Sequence, residues 1–311
     1  LQAALNDEGT HYVLNGTKIY VTNGAWADIA VTFASVNGKY TAFILDKDCN
    51  GWTVGAEEKK MGIKGSSTVT FYYEDCMVPI ENVLGKVGEG GPIAFNVLYV
   101  GRYKLGVTTA GGAKFVLNGA LDYANEREQF DRKIKSFGMI KSKFANIVTR
   151  AWEADSINYM ITGSIDHKLA GCDKESQDYF NIVQKAIEDH GIEASISKVV
   201  GSEALAYAVD EGVQILGGNG FIEEYPMACA YRDERINRIF EGTNEINRLI
   251  IGGTFLKKAI LEEIPIRDSI ELRLKDWIPI QEIPIQNNLE KEVDVIEFCR
   301  SFTLFCLNEA I

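Results

Sequence analysis

No C-x-x-C pair occurs in this chain, and its three histidines, His11, His167 and His190, lie far apart. The spacing of a zinc site is therefore missing, no metal is expected, and the six cysteines are read as reduced thiols. Positive charge is in the minority. With 32 Lys and Arg against 44 Asp and Glu, the net charge of −12 argues against a nucleic-acid partner. No run of 18 apolar residues is present, so no transmembrane helix is expected, while peripheral contact with a membrane surface stays open. An initiator methionine and a targeting segment are also missing, so the chain is read as part of a larger protein.

What is present changes period once, near Gly91. Before that point "HYVLNGTKIYVTNG" carries two β-rich runs around Asn15-Gly16, read as a hairpin, and "IAVTFASVNGKYTAFIL" repeats the device at Asn37-Gly38. "TVTFYYEDCMVP" reads as a further strand. These runs predict a small antiparallel β domain over residues 1–91. Helical spacing then takes over: Phe95, Leu98, Tyr99, Leu105 and Val116 recur at about helical period. Helices are predicted over 93–126, 137–167 and 179–216, the last closed by Gly217-Gly218, with a fourth starting at Thr243. Four long helices with short connections predict a four-helix bundle over 92–261. From 262 onward Pro265, Pro279 and Pro284 each sit between isoleucines, and "VDVIEFCRSFTLFCL" follows. This reads as a C-terminal extension, 262–311, with an extended linker and then a helix. The fold class is thus α+β.

Four stretches could carry chemistry. In "RIFEGTNEINRLI" a carboxylate, Glu241, stands in an apolar run ahead of Gly242 and Thr243. One reading makes this a plain helix junction with Ile246, Leu249 and Ile250 as a buried stripe; the other makes Glu241 a catalytic base. Arg102 falls on the apolar stripe of the first helix, where an unpaired charge would be costly, so either an internal ion pair or a substrate site is implied. Gly106, Gly111 and Gly112 cost about 1 kcal/mol each against Ala in a helix interior, which implies a closely packed neighbour. "NEREQFDRKI" places Arg127 and Gln129 in a polar turn. "VQILGGNGF" follows a helix and not a strand, so it is not a dinucleotide fingerprint.

Taken together and in order, "YVTNG", "KKMGIKGSST", "DCMVPIENVLG", "NEREQFDRKI", "QILGGNGF" and "RIFEGTNEINRLI" resemble the acyl-CoA dehydrogenase family over residues 1 to about 260. The turn at Ser136-Phe137-Gly138 and the long extension look most like its very-long-chain branch. That family pairs an N-terminal helical domain, lacking in this sequence, with a middle β domain and a helical bundle. The resemblance implies FAD-dependent α,β-dehydrogenation of fatty acyl-CoA, with electron-transfer flavoprotein as acceptor and a homodimer or homotetramer as the assembly. It implies Glu241 as the α-proton base, with Gly242 and Arg102 contacting substrate. Tyr20, Val21 and Thr22 fall on the segment against the flavin, where relatives usually have Trp in place of Tyr20. Arg127, Gln129, Gln214, Gly217 and Gly218 fall on segments reaching the flavin of a neighbouring subunit, and Thr243 and Glu245 flank the base and meet the flavin. An acid found in some relatives is Tyr99 here. The family's compartments imply the cytoplasm of a bacterium or the mitochondrial matrix of a eukaryote. A flavin oxidase on the same fold, or a catalytically silent assembly protein, remain the alternatives.

Overall fold

The computed structural model describes residues 1–266, together with 268, 270, 292, 293, 295–297, 299, 300 and 303. It divides into two compact units, 1–244 and 245–311.

The first unit opens with a seven-stranded sheet: β1 (Gln2–Leu5), β2 (His11–Thr22), β3 (Ile29–Val36), β4 (Lys39–Asp46), β5 (Trp52–Val54), β6 (Thr68–Pro79) and β7 (Val83–Leu84), in spatial order β5-β6-β2-β1-β3-β4-β7. All pairings are antiparallel except β1 with β3, so the expectation of a purely antiparallel sheet is corrected at one ladder. The Asn37-Gly38 turn is present, with φ of 50° and 80° at its two residues, the left-handed geometry that lets adjacent strands keep their twist.

Asn15-Gly16, by contrast, is not a hairpin. It lies inside the continuous strand β2, opposite a bulge in β6 where Asp75 takes φ 48°. Asn15 Nδ2 donates to the Asp75 carboxylate at 3.0 Å and Asp75 N–H donates back to Asn15 Oδ1 at 2.8 Å, so a turn dipeptide here satisfies a bulge. The bulge has a packing purpose. Val69, Phe71 and Tyr73 are buried at a period of two, and the inserted residue shifts the phase so that Cys76 and Val78 stay on the same buried face.

The period changes at Gly90, where an added Cβ would lie 2.8 Å from the Tyr40 carbonyl, so only glycine lets the chain leave β4 this closely. Helix α1 (Gly90–Glu126) leads to a small hairpin of β8 (Glu128–Gln129) and β9 (Arg132–Lys133), then α2 (Gly138–Leu169), α3 (Tyr179–Asp189) and α4 (Gly191–Leu216). Two short helices, α5 (Gly218–Phe221) and α6 (Pro226–Glu234), follow. The helix expected over 179–216 is thus two helices. His190 breaks it, held by Ala186 carbonyl at 2.7 Å and Ser164 Oγ at 2.8 Å, and Gly191 seats against the Tyr99 ring. Val116 and Ala120 of α1, Phe144 and Ile147 of α2, Ala208 and Val209 of α4, and Met227 of α6 share one core.

Small residues set the closest crossing. An added Cβ at Gly106 would stand 1.9 Å from Ser197 Oγ, and one at Gly201 would stand 2.5 Å from Thr109 Oγ1. Gly112 abuts Leu205, whereas Gly111 has open space, which corrects the expectation that all three α1 glycines mark close packing. Sheet and helices are joined by the 55–67 segment: Ile63 N–H donates to Asp233 Oδ1 at 2.6 Å, and Gly62 leaves no room for a side chain against the Arg232 backbone.

The second unit holds almost all of α7 (Asn244–Ile260), the helix expected from Thr243. Its end packs Ala259 with Ile266 and Ile270, flanked by Phe255 and Ile264, so the start of the extension forms a small core of its own. Pro279, Pro284 and most of the final apolar segment lie outside the described residues. No described helix is long and apolar enough to cross a membrane.

Candidate active site

Glu241 sits at a corner that its sequence makes unusual. It takes φ 57° and Gly242 φ 80°, so two consecutive residues lie in the left-handed region, and a non-glycine residue there is held by its surroundings at a cost of about 1–3 kcal/mol. Arg102 of α1 donates from Nε to the Glu241 carbonyl at 3.0 Å and from Nη1 to Ser195 Oγ at 3.3 Å. Lys198 of α4 donates from Nζ to the Gly242 carbonyl at 2.9 Å and to Asn244 Oδ1 at 2.6 Å. Asn244 is fastened in turn by Ser202 and Glu203. Arg102 is 2% exposed and Lys198 0%, so two buried cations clamp two consecutive backbone carbonyls, those of Glu241 and Gly242.

The Glu241 side chain, half-buried, lies on the α1 surface at Gly101, where an added Cβ would stand 2.7 Å from its Oε2. Burial raises the carboxyl pKa above its ordinary value, and the charges of Arg102 and Lys198 pull it back less strongly. The same burial lowers the Arg102 guanidinium, opposed by Tyr99 and Glu241. Tyr99 presents its ring 5.8 Å from the guanidinium carbon of Arg102. The junction reading expected Ile246 and Leu249 to be buried, yet they are 48% and 71% exposed. The corner is built by polar clamps and not by an apolar stripe.

Glu241, Gly242 and Arg102 are therefore brought together. The other expected residues sit on several further elements. Tyr20, Val21 and Thr22 lie at the end of β2, where a second bulge sets Ile19 and Tyr20 against Thr70 alone and gives Tyr20 φ 57°. The extra residue of a bulge is left out of the ladder; Tyr20 is 69% exposed there, while Val21 and Thr22 pair with Val69 and Thr68. Arg127 and Gln129 flank and end β8, on an exposed hairpin whose tip, Phe130, is 86% exposed. Gln214 is exposed on the last turn of α4, and Gly217, at φ 60°, with Gly218 turns the chain into α5, beside Phe221 at 82% exposure. Thr243 follows Gly242 directly, while Glu245 opens the second unit in the first turn of α7.

Lys198, Ser195, Asn244 and Gly101 were not singled out from the sequence. Lys198 sits in "ISKVVGSEALA", where one lysine among small and apolar residues is a signal of a buried cation. Gly101 precedes Arg102 directly, and nothing local marks it.

The family model described as acyl-CoA dehydrogenase, middle domain, matches residues 1–76, and that described as acyl-CoA dehydrogenase, C-terminal domain, matches residues 88–256. A probable acyl-CoA dehydrogenase of Bacillus subtilis is 45% identical over 305 residues, 97% of this chain and 51% of that protein. The mitochondrial very long-chain specific acyl-CoA dehydrogenase of Rattus norvegicus is 40% identical over 253 residues, 78% of this chain and 36% of its own length. Among solved structures, an acyl-CoA dehydrogenase of Bacillus anthracis complexed with FAD superposes with a TM-score of 0.85 at 47% identity, covering 91% of this chain and 49% of that one. The chain thus spans about half, or less, of the length of these relatives.

Proposed function

This chain belongs to the acyl-CoA dehydrogenase family, and from that premise we propose that it is the β-domain and bundle portion of an FAD-dependent enzyme that converts a saturated fatty acyl-CoA to its trans-2-enoyl thioester. Glu241 is the base that removes the α-proton. The observation that carries this reading is the Glu241 corner: a half-buried carboxylate with a raised pKa, held at a strained left-handed position by a buried arginine and a buried lysine.

An α-proton beside a thioester is weakly acidic, so its removal needs a base that is both positioned and poorly solvated. As the C–H bond breaks and an O–H bond forms on the Glu241 carboxyl, negative charge moves onto the thioester carbonyl, where fixed hydrogen-bond donors stabilise it. A positioned base contributes about 10²–10⁴-fold to the rate. Desolvation strengthens Glu241 for this task. Arg102, with its guanidinium on the Glu241 carbonyl, is assigned to substrate binding and to holding the corner, and Gly242 gives the substrate close access to backbone.

FAD, when bound, supplies the two-electron acceptor for the β-hydride. The residues present fit such a group: an exposed strand end at Tyr20–Thr22, just past the Ile19–Tyr20 bulge, for a flat ring system, and exposed polar segments at Arg127, Gln129, Gln214, Gly217 and Gly218. The exposed Phe130 and Phe221 beside those segments support a homodimer or homotetramer in which one copy completes another's cofactor site. Electron-transfer flavoprotein is the proposed acceptor.

The test uses the full-length protein. Anaerobic addition of a saturated long-chain acyl-CoA is expected to bleach the flavin and yield the enoyl thioester, with reoxidation by electron-transfer flavoprotein outpacing that by oxygen. Fast oxygen consumption would make the protein an oxidase, and no bleaching would make it a silent relative.

A further inference from the structure

The core of the sheet holds two thiols side by side. Cys49 lies in the loop between β4 and β5 and Cys76 lies on β6 just past the Asp75 bulge, with their Sγ atoms 3.4 Å apart. The neighbouring backbone fixes this approach. Cys49 Sγ meets the Met77 carbonyl at 3.0 Å, and Met77 N–H donates to the Asn50 carbonyl at 3.2 Å. Gly51, at φ 87°, permits it: an added Cβ there would stand 2.4 Å from the Glu74 carbonyl and 2.7 Å from Cys76 Cα. Cys76 is fully buried and Cys49 only partly so, which makes Cys49 the more accessible residue of the pair.

Two thiols that merely fill a core need no fixed relation to each other, because a free cysteine packs as a small apolar residue. Here a left-handed glycine, a bulge and a backbone hydrogen bond all converge on the pair. We propose that Cys49 and Cys76 are a modification site, forming an intramolecular disulfide when the protein meets a peroxide.

The chemistry balances in two steps. Cys49 sulfur attacks the peroxide, an S–O bond forms as the O–O bond breaks, and one water leaves with a sulfenic acid on Cys49. Cys76 sulfur then attacks Cys49 sulfur, the S–S bond forms as the S–O bond breaks, and the second water carries away the Cys76 proton. Two thiols lose two electrons, and hydrogen peroxide is reduced to two waters. Access sets the order, and burial pushing the Cys76 thiol up to about 12 reinforces it by keeping that sulfur protonated until its neighbour is activated. The closed loop contains the 55–67 segment that ties the sheet to α6, so the oxidised chain has less freedom to lose on unfolding and melts at a higher temperature.

Treating the native chain with hydrogen peroxide, alkylating the remaining thiols and digesting without reduction tests this. The expected result is a linked peptide pair, Cys49 with Cys76, two fewer titratable thiols and a raised melting temperature that a thiol reductant reverses. Cys49→Ser abolishes the link, and Cys76→Ser leaves a Cys49 sulfenic acid that dimedone traps; Cys76→Ala serves where a buried hydroxyl prevents folding. The same treatment in urea is expected to spread oxidation over the other cysteines. Full alkylation of either thiol in the peroxide-treated native chain, or equal linking in the unfolded chain, would overturn the proposal.

Discussion

Gly101 of α1 is the surface on which the Glu241 carboxylate rests, with room for nothing larger than hydrogen between them: a Cβ built on Gly101 would stand 2.7, 2.8 and 2.9 Å from Oε2, Cδ and Oε1 of Glu241. A helix residue contributed from far upstream thereby bears on where this carboxylate points.

The first prediction tests that relationship. Gly101 lies inside a helix, so Gly101→Ala gains about 1 kcal/mol of helix propensity while displacing the carboxylate. In the full-length protein the melting temperature is expected to stay level or rise, and flavin reduction to slow by about 10²-fold, the scale of a misplaced catalytic group. Reduction at the unmutated rate would mean that the carboxylate does not need this seat.

Lys198 gives the second. Lys198→Met keeps length and burial but leaves the Gly242 carbonyl and Asn244 Oδ1 short of a donor, which costs about 1–3 kcal/mol in urea unfolding. Because the same lysine holds the corner, kcat is expected to fall more than KM rises. A stability loss with normal kcat would reduce Lys198 to a structural role.

The third concerns pH. The folded-state pKa of Glu241 lies above its ordinary value of 4.5, so between that value and the raised one the native chain binds more protons than the unfolded chain. Stability from this group therefore falls as pH rises through that window, and the penalty is complete above the folded pKa. Glu241→Gln removes the titration. Its stability relative to the unmutated chain is expected to be constant below pH 4.5, to improve across the window and to level off above it, measured by urea unfolding at a series of pH values. A difference independent of pH would show that Glu241 is not desolvated.

Much of this was legible in the residues, and the failures have physical reasons. The helices announced themselves through periodicity, and Asn37-Gly38 through turn chemistry. Asn15-Gly16 misled because the same two residues that suit a left-handed turn also suit a bulge, and only pairing with Asp75, sixty positions away, decides between them. The break at His190 goes with the bond of its ring to Ser164 on α2 and the seating of Gly191 on the Tyr99 ring, tertiary contacts that helical periodicity does not carry. Glu241 stood out as a carboxylate in an apolar run, whereas Gly101, which seats it, and Ser195, which accepts from Arg102, are ordinary in their own helices, and Lys198 shows only as one lysine among small and apolar residues. A site assembled from α1, α4 and the loop before α7 is dispersed in sequence, and motif order pointed to the family where local pattern could not.

The claim on which the account rests is that Glu241 moves a proton. Glu241→Gln in the full-length protein keeps size and hydrogen-bonding capacity but removes the base, so FAD and acyl-CoA are expected to bind as before. On anaerobic mixing with a saturated acyl-CoA, loss of flavin absorbance is expected to slow by at least about 10²-fold. Bleaching at the unmutated rate, with Gln at position 241, would contradict it.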